Sequence, residues 1–286
     1  MPAINPGTLY VVATPLGNRD DITVRALNKL REVDLIAAED TRKTGGFLAL
    51  HTIKNSLISY HEHNEAERTP TLIAKLQNGV SMALVSNAGT PMISDPGYRL
   101  IEAALDNQLT VIPIPGVSAA TAALSVAGLP TDSYIFVGFL AKKKAKRLRQ
   151  LNELASEPRT LIFYESPRRI LAFLYETIDV MGDRRAVLAR EMTKLHEEFI
   201  RGRLSDITEG LENRNDVKGE CTLLVAGNDR DKEHTWPMVK QQIEAAVAAG
   251  QNSLSTIARE IAATSGIAKN KIYAEALKIS KEYDGG

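Results

Sequence analysis

Between residues 80 and 106 an apolar run passes through a long loop of small residues into a segment with helical spacing. Residues 80–85, Val-Ser-Met-Ala-Leu-Val, read as a buried strand. Residues 86–97, Ser-Asn-Ala-Gly-Thr-Pro-Met-Ile-Ser-Asp-Pro-Gly, follow, and Leu100, Ile101, Ala104 and Leu105 then recur as on one face of a helix. A strand-to-helix connection needs only about 2–6 residues, so this one is longer than topology requires. Its small side chains let a ligand approach main-chain N–H and C=O groups, and Gly89 adds backbone freedom. In an open α/β sheet, ligands collect at the carboxyl ends of strands. Taken alone the stretch is equally an ordinary surface loop, and the other loops decide between the two readings.

The same alternation fills the first half of the chain. Strands are expected at 8–14, 33–38, 57–60 and 110–114, and helices at 22–30, 65–77 and 117–126, with Asp20 and Asp21 offering N-caps. Strands that alternate with helices indicate a mostly parallel sheet. Gly128-Leu129-Pro130 breaks the pattern. Beyond it, strands at 134–138 and 159–164 flank a basic helix, and a helix at 167–180 leads to strands at 186–189, 199–204 and 221–226. A further helix is expected at 205–212. The short neighbouring strands near Ala186 and Phe199 suggest antiparallel pairing. A polar linker at 228–234 precedes three helices, 238–249, 254–263 and 267–280. Thr264-Ser265-Gly266 would form a tight turn compatible with a helix-turn-helix, or with a simple capping bundle. The expected architecture is α/β: a domain over 1–128 with a mostly parallel sheet, a second over 129–230 with a mixed sheet, and a helical domain over 236–286.

Several chemistries are excluded. Cys221 is the only cysteine, so neither an internal disulfide nor a thiolate metal cluster can form. No Gly-x-Gly-x-x-Gly follows Thr14, no phosphate-binding Gly-x-x-x-x-Gly-Lys-Ser/Thr occurs, and Gly116-Val-Ser-Ala-Ala120 is not a nucleophile elbow. His61 and His63 lack the spacing of helical metal sites, and no metal is expected. No apolar run approaches the ~18 residues of a membrane span. The first residues also lack the pattern of a signal peptide, so a cytoplasmic protein without a membrane partner is expected. The 35 basic and 35 acidic residues cancel, but Lys142, Lys143, Lys144, Lys146, Arg147 and Arg149 crowd into eight residues free of acid. Such a run is either a solvated helix face or a surface for a polyanion.

What remains is a set of loops at strand ends: 15–18, 39–42, 86–97, 115–119, 164–169 and 190–194. They are rich in small residues and poor in nucleophiles, which suits a cofactor that carries its own reactivity. Ser118 and Ala119 open a helix just after Pro115-Gly116, so their N–H groups and the hydroxyl could meet a carboxylate or a ribose. Pro15-Leu-Gly-Asn18, Ala38-Glu-Asp-Thr-Arg42, the 86–97 stretch, Pro115-Gly-Val-Ser-Ala119, Phe163-Tyr-Glu-Ser-Pro-Arg-Arg169 and Arg190-Glu-Met-Thr-Lys-Leu-His196 stand in this order. Together they resemble the tetrapyrrole methylase-like (class III) methyltransferases, and within them the bacterial branch that methylates the ribose 2′-oxygen of a cytidine in 16S ribosomal RNA. The resemblance is close over residues 7–227 and weaker in the helical tail.

The resemblance implies two α/β domains with S-adenosylmethionine in the cleft between them, and a homodimer. It would place Leu16, Asn87, Ala88, Gly89, Thr90, Ile93, Ser118, Ala119, Tyr164, Glu165, Met192 and Ala226 beside the cofactor. Tyr164, Met192 and Ala226 read equally well as core residues, whereas a buried Glu165 would need a partner. Tetrapyrrole-modifying members carry Gly-Asp-Pro where this sequence has Gly89-Thr90-Pro91. A carboxylate is thereby lost beside the cofactor, which argues against a tetrapyrrole substrate. The expected reaction is 2′-O-methylation of a cytidine in 16S ribosomal RNA, within the small ribosomal subunit. A weakly acidic hydroxyl would be helped by a base or a cation, for which Asp40, Glu165 and Lys194 are the candidates. Arg42, Arg168, Arg169, Lys142, Lys143, Lys144, Arg147, Lys269 and Lys271 are the expected phosphate contacts. A methyltransferase of a small molecule, or a nucleic-acid-binding regulator that senses a metabolite, remain the alternatives.

Overall fold

The structure is a computed structural model that describes residues 5–214, 216–228, 230–249, 252–265, 267 and 269–284. The chain divides into two compact units, Met1–Gly227 and Asn228–Gly286. The first unit holds two five-stranded sheets.

The first sheet is parallel throughout. It contains β1 (Thr8–Val12), β2 (Leu35–Ala38), β3 (Leu57–Ser59), β4 (Met82–Val85) and β5 (Thr110–Ile114), in the order β3-β2-β4-β1-β5. Every residue of β4 is buried, as expected of a strand covered on both faces. On one face, α1 (Val24–Glu32) and α2 (Thr41–Leu50) pack Ala26, Leu30 and Leu48 against Val12, Ile36 and Ala83. On the other, α3 (Glu65–Gln77) and α4 (Tyr98–Asp106) pack Leu72, Leu76, Leu100 and Ala104 against Leu9, Met82 and Leu84. From β1 the chain moves to β2 on one side, and from β4 it moves to β5 on the other. The strand order therefore reverses between β1 and β4, where a crevice opens at the carboxyl ends.

The second sheet is mixed, in the order β6-β7-β10-β8-β9. Its strands are β6 (Tyr134–Phe139), β7 (Thr160–Glu165), β8 (Arg185–Arg190), β9 (Glu198–Arg203) and β10 (Cys221–Val225). Only β6 and β7 run parallel. One face is covered by α6 (Lys144–Glu153), α7 (Ile170–Met181) and α8 (Leu204–Glu212), through Leu151, Phe173, Leu174 and Ile207. The other face takes α5 (Ala119–Ser125), whose Ala120, Ala123 and Leu124 pack with Ile162, Val187 and Leu224. The helix that follows the first sheet thus buries its apolar face on the second. That is why both sheets belong to one unit although Gly128 separates them along the chain.

The second unit is α9 (Arg230–Ala249), α10 (Leu254–Ser265) and α11 (Lys269–Asp284) around Val239, Ile243, Ala258, Ile272, Ala276 and Ile279. Lys240 reaches Glu275 at 2.6 Å, and the Lys271 ammonium lies 4.2 Å from the centre of the Trp236 ring. Gly266, part of the expected turn, lies outside the described residues. No helix among the described residues is long and apolar enough to cross a membrane.

Three local expectations change. The helix α2 lies where only a strand-end loop was expected; Asp40 starts it by accepting from the N–H groups of Arg42 and Lys43, which offsets Gly45 and Gly46 in its middle. Thr23, not Asp20 or Asp21, caps α1, and those acids sit instead in a 3-10 turn at Arg19–Asp21 capped by Asn18. The polar stretch expected as a linker is helical from Arg230, and Pro237 lies inside that helix.

Candidate active site

The loops that end β1 and β4 meet at the strand-order reversal. Thr14 and Gly89 form a single antiparallel bridge, each N–H donating to the other's carbonyl at 2.8 Å. The Thr14 hydroxyl also donates to the Ser86 carbonyl. Four residues of the 86–97 loop are left-handed: Gly89 at φ 75°, Met92 at 72°, Ser94 at 68° and Gly97 at 136°. For Met92 and Ser94 such backbone costs about 1–3 kcal/mol each, a cost seen where surrounding structure over-determines a functional loop. The Thr90 hydroxyl donates to the Val117 carbonyl at 3.1 Å and so fixes the loop against the segment that ends β5.

Above this junction lies a cleft of about 380 Å³, within the size range of small-molecule sites. Leu16, Asn87, Ala88, Gly89, Thr90, Ile93, Ser118 and Ala119 line it from the first sheet's loops; Tyr164 and Glu165 line it from the end of β7. Ten of the twelve expected cofactor residues therefore line one cleft. Met192 and Ala226 do not reach it; they pack beneath it in the cluster that holds Leu16, Ala119 and Tyr164. The Ala120 N–H donates to the Tyr164 hydroxyl at 3.1 Å, tying β7 to the start of α5. On another side, the Asn18 N–H donates to the Thr193 hydroxyl, and the Lys194 stem lies across Gly17. A Cβ at Gly17 would come within 2.2 Å of Lys194 Cγ.

Each of the three expected acid-base groups is engaged by partners. Asp40 does not line the cleft: it caps α2, and its hydrogen bonds with Arg42, together with the Lys43 N–H, hold its carboxyl below the usual range. Glu165 lines the cleft but is buried. It accepts from the Ser166 N–H at 2.6 Å and from Arg169 at 2.7 Å, so the partner it needed is Arg169. Lys194 bonds to Glu191 at 2.8 Å and Glu220 at 3.2 Å. Burial lowers its pKa, but those carboxylates outweigh burial and raise it, so it stays an ammonium.

The cleft also holds an acid that the motifs did not single out, Asp95. It lines the cleft, and its pKa is raised to about 6 by burial first and then by the negative charge of Glu39. Glu39 is held by the Asn87 N–H at 3.0 Å. Lys43, Ser94, Phe139, Ser166, Pro167, Glu220, Cys221 and Thr222 complete the lining. Asp95 is the one acid in the 86–97 stretch, which is the signal that could have singled it out. Cys221 is buried, and burial pushes its thiol up to about 12, so it is no nucleophile.

The expected phosphate contacts divide. Arg42, Lys142, Lys143, Lys144, Arg168, Lys269 and Lys271 are exposed. Arg169 is half-buried and paired with Glu165. Arg147 is corrected outright. It is only 7% exposed, its guanidinium grips Glu176 of α7 through two bonds of 2.6 and 2.8 Å, and it donates to the Ala141 and Lys142 carbonyls. It faces the core side of α6, one turn before Leu151, and not a polyanion.

The family model described as Tetrapyrrole (Corrin/Porphyrin) Methylases matches residues 8–208. Three relatives called ribosomal RNA small subunit methyltransferase I are similar over nearly the whole chain. The protein of Pseudomonas aeruginosa PAO1 is 44% identical over 96% of this chain and 98% of its own. That of Synechocystis sp. is 43% identical over 98% and 100%. That of Micromonospora olivasterospora is 42% identical over 98% and 89%. Among solved structures, the uroporphyrin-III C-methyltransferase of Thermus thermophilus complexed with S-adenyl homocysteine aligns with a TM-score of 0.56. It is 19% identical, over 77% of this chain and 97% of its own. A cobalt precorrin-4 methyltransferase aligns at 0.58, also 19% identical, over 77% and 94%. These two show the same fold. The chain therefore belongs to the tetrapyrrole (corrin/porphyrin) methylase family, on the branch of the ribosomal RNA small subunit methyltransferase I proteins.

Proposed function

We infer that this protein transfers a methyl group from S-adenosylmethionine to the ribose 2′-hydroxyl of a cytidine in 16S ribosomal RNA. The observation that carries the reading is 42–44% identity, through the helical second unit, to proteins named for methylating small-subunit ribosomal RNA. The 2′-oxygen and the cytidine rest on the ordered motifs. The replacement of a family carboxylate by Thr90 weighs against a tetrapyrrole substrate. The assembled small subunit as substrate, a homodimer and a cytoplasmic location are parts of the same reading. Incubation with labelled S-adenosylmethionine and small ribosomal subunits, followed by mapping of the modified nucleotide, tests it. Label in a small molecule alone, or in no RNA, would sink it.

The cleft suits the cofactor. Gly89 presents bare backbone, and Leu16, Ile93, Ala119 and Tyr164 offer apolar walls with Asn87, Thr90 and Ser118 between them. Of the four carboxylates on the wall, Glu165 is paired with Arg169 and Glu220 with Lys194, which leaves Glu39 and Asp95 facing the Lys43 ammonium; that small excess of negative charge suits a cationic ligand. Bound there, S-adenosylmethionine supplies an electrophilic methyl group on a sulfonium. The protein then has to align an alcohol oxygen, which in favourable intramolecular models is worth up to about 7–11 kcal/mol, and to remove its proton. Asp95, ionised above about pH 6, is the base that serves that step.

Gly89→Ala should weaken S-adenosylmethionine binding roughly tenfold or more, since forcing a methyl group into a filled site costs about 1–3 kcal/mol. A Cβ at Gly89 stands 3.4 Å from Leu16 Cδ2 on the cleft wall, and its φ of 75° is unfavourable for alanine. Calorimetry on the folded variant checks this; unchanged affinity would remove the loop from the cofactor site.

Lys143→Glu with Lys144→Glu should weaken binding to small ribosomal subunits whatever the sequence probed. It should also flatten the salt dependence, by about one unit of log–log slope for each phosphate left without its cation. Both lysines are exposed, so thermal stability and cofactor affinity should hold. Equal RNA affinity at physiological salt would make this a solvated face.

A further inference from the structure

Strand β6 carries an irregularity that the fold itself does not require. Its register against β7 runs Tyr134–Thr160, Ile135–Leu161 and Phe136–Ile162, then jumps to Gly138–Phe163 and Phe139–Tyr164, leaving Val137 as an extra residue. Side chains alternate faces along a strand, so one inserted residue moves everything after it to the opposite face. Ile135 and the bulged Val137 pack into the core beneath α6 and α7, and Phe136 packs on the cleft side with Tyr164. Without the bulge, Phe139 would follow Ile135 and Val137 into that core. With it, Leu140 takes the core position and Phe139 turns to the cleft.

The bulge is specific to its surroundings. Gly138 has φ 70°, a conformation that favours glycine, and a Cβ there would lie 2.9 Å from the Ser94 hydroxyl oxygen of the 86–97 loop, which would have to turn away. The result is a phenyl ring 54% exposed at the cleft wall. Its centre is 5.7 Å from the Tyr164 ring at 66°, and Tyr164 is itself braced by Phe136 at 5.0 Å and 71° and by the Ala120 N–H. Three residues further on, Lys142, Lys143 and Lys144 are exposed cations.

We propose that Phe139 is the platform on which a base of the substrate RNA stacks, with the flanking phosphates on Lys142–Lys144. The proposal rests on the ribosomal RNA reading of the site. A braced aromatic face beside a short basic run is how proteins hold an unstacked nucleotide. A nucleotide whose ribose is to be methylated inside a cleft has to leave its neighbours.

The test measures methyl transfer from labelled S-adenosylmethionine to small ribosomal subunits by the wild-type protein and by Phe139→Ala, Phe139→Leu and Phe139→Trp. Cofactor affinity is measured calorimetrically on the same proteins. Zero-length ultraviolet crosslinking to the subunits shows whether the ring touches a base. The Ala and Leu variants should raise KM for the subunits by roughly 5- to 150-fold, the usual range for a lost base–aromatic stack. Cofactor affinity should hold, Trp should restore most of the loss, and Phe139 should crosslink to RNA. An unchanged KM in the Ala variant overturns the proposal, as does full activity of the Leu variant, which would make the ring a plain apolar filler. A loss of cofactor affinity with KM unmoved overturns it too, by giving the ring to the cofactor. Absence of transfer by the wild-type protein is a separate result: it removes the ribosomal RNA reading, and the stacking role falls with it.

Discussion

Asp95→Asn should lower the single-turnover rate of methyl transfer by about 10²–10⁴-fold, the usual worth of a positioned general base. The substitution keeps the side chain's shape and removes only its ability to take a proton. Folding should not suffer. Burial and the nearby charge of Glu39 both disfavour the ionised carboxylate, and that is why its pKa is raised to about 6. The sign of the pH dependence follows. In the wild-type protein the base is ionised above about pH 6, so kcat/KM should fall as pH drops through that value and level off above it. The Asn variant should be slow and nearly flat across the same range. Glu165→Gln is the informative comparison. Glu165 is already paired with Arg169, so its loss should disturb the wall and the cofactor while leaving the pH limb in place. If Asp95→Asn reacts at the wild-type rate with saturating cofactor and subunits, alignment alone carries the catalysis.

The contrast between Asp95 and the three acid-base groups expected from the motifs shows what a sequence can convey about such a site. The 86–97 loop is legible because its length and small residues exceed what a turn needs. Most of the cleft wall follows from the ordered motifs at strand ends. Protonation is not legible in the same way. Asp95 acquires its pKa from burial and from Glu39, a residue at the end of β2 that meets it only through the strand order β2-β4. Lys194 is held as an ammonium by Glu191 and Glu220 for the same kind of reason, which leaves it the cation of the two roles considered. The helix α2 escapes notice because Gly45 and Gly46 lower its propensity, whereas its stability comes from the Asp40 cap and from burial of Thr44 and Leu48. The bulge at Val137 has no compositional mark beyond the Gly138 that follows it.

Arg147→Ala should cost about 3–5 kcal/mol of stability, because truncating one partner of a buried ion pair strands the other in the interior. Glu176 would be left 7% exposed, with both bonds from the guanidinium gone. The Ala141 and Lys142 carbonyls would lose their donor as well, loosening the segment that presents Lys142 and Lys143. At about 2–4 °C per kcal/mol for a unit of this size, thermal unfolding should move down by roughly 6–20 °C. Replacing both partners, Arg147→Met with Glu176→Leu, should recover most of the loss, since a buried pair is often matched by apolar side chains of similar volume. The sequence holds a clue: Arg147 stands four residues before the buried Leu151, on the stripe of α6 that faces α7. Its neighbours Lys143, Lys144 and Lys146 are exposed, so their reversal should shift RNA binding and leave unfolding alone. Thermal scans and RNA titrations on both sets separate the two roles. If Arg147→Ala unfolds at the wild-type temperature and instead releases RNA, the ion pair is incidental and the whole basic run is one nucleic-acid surface.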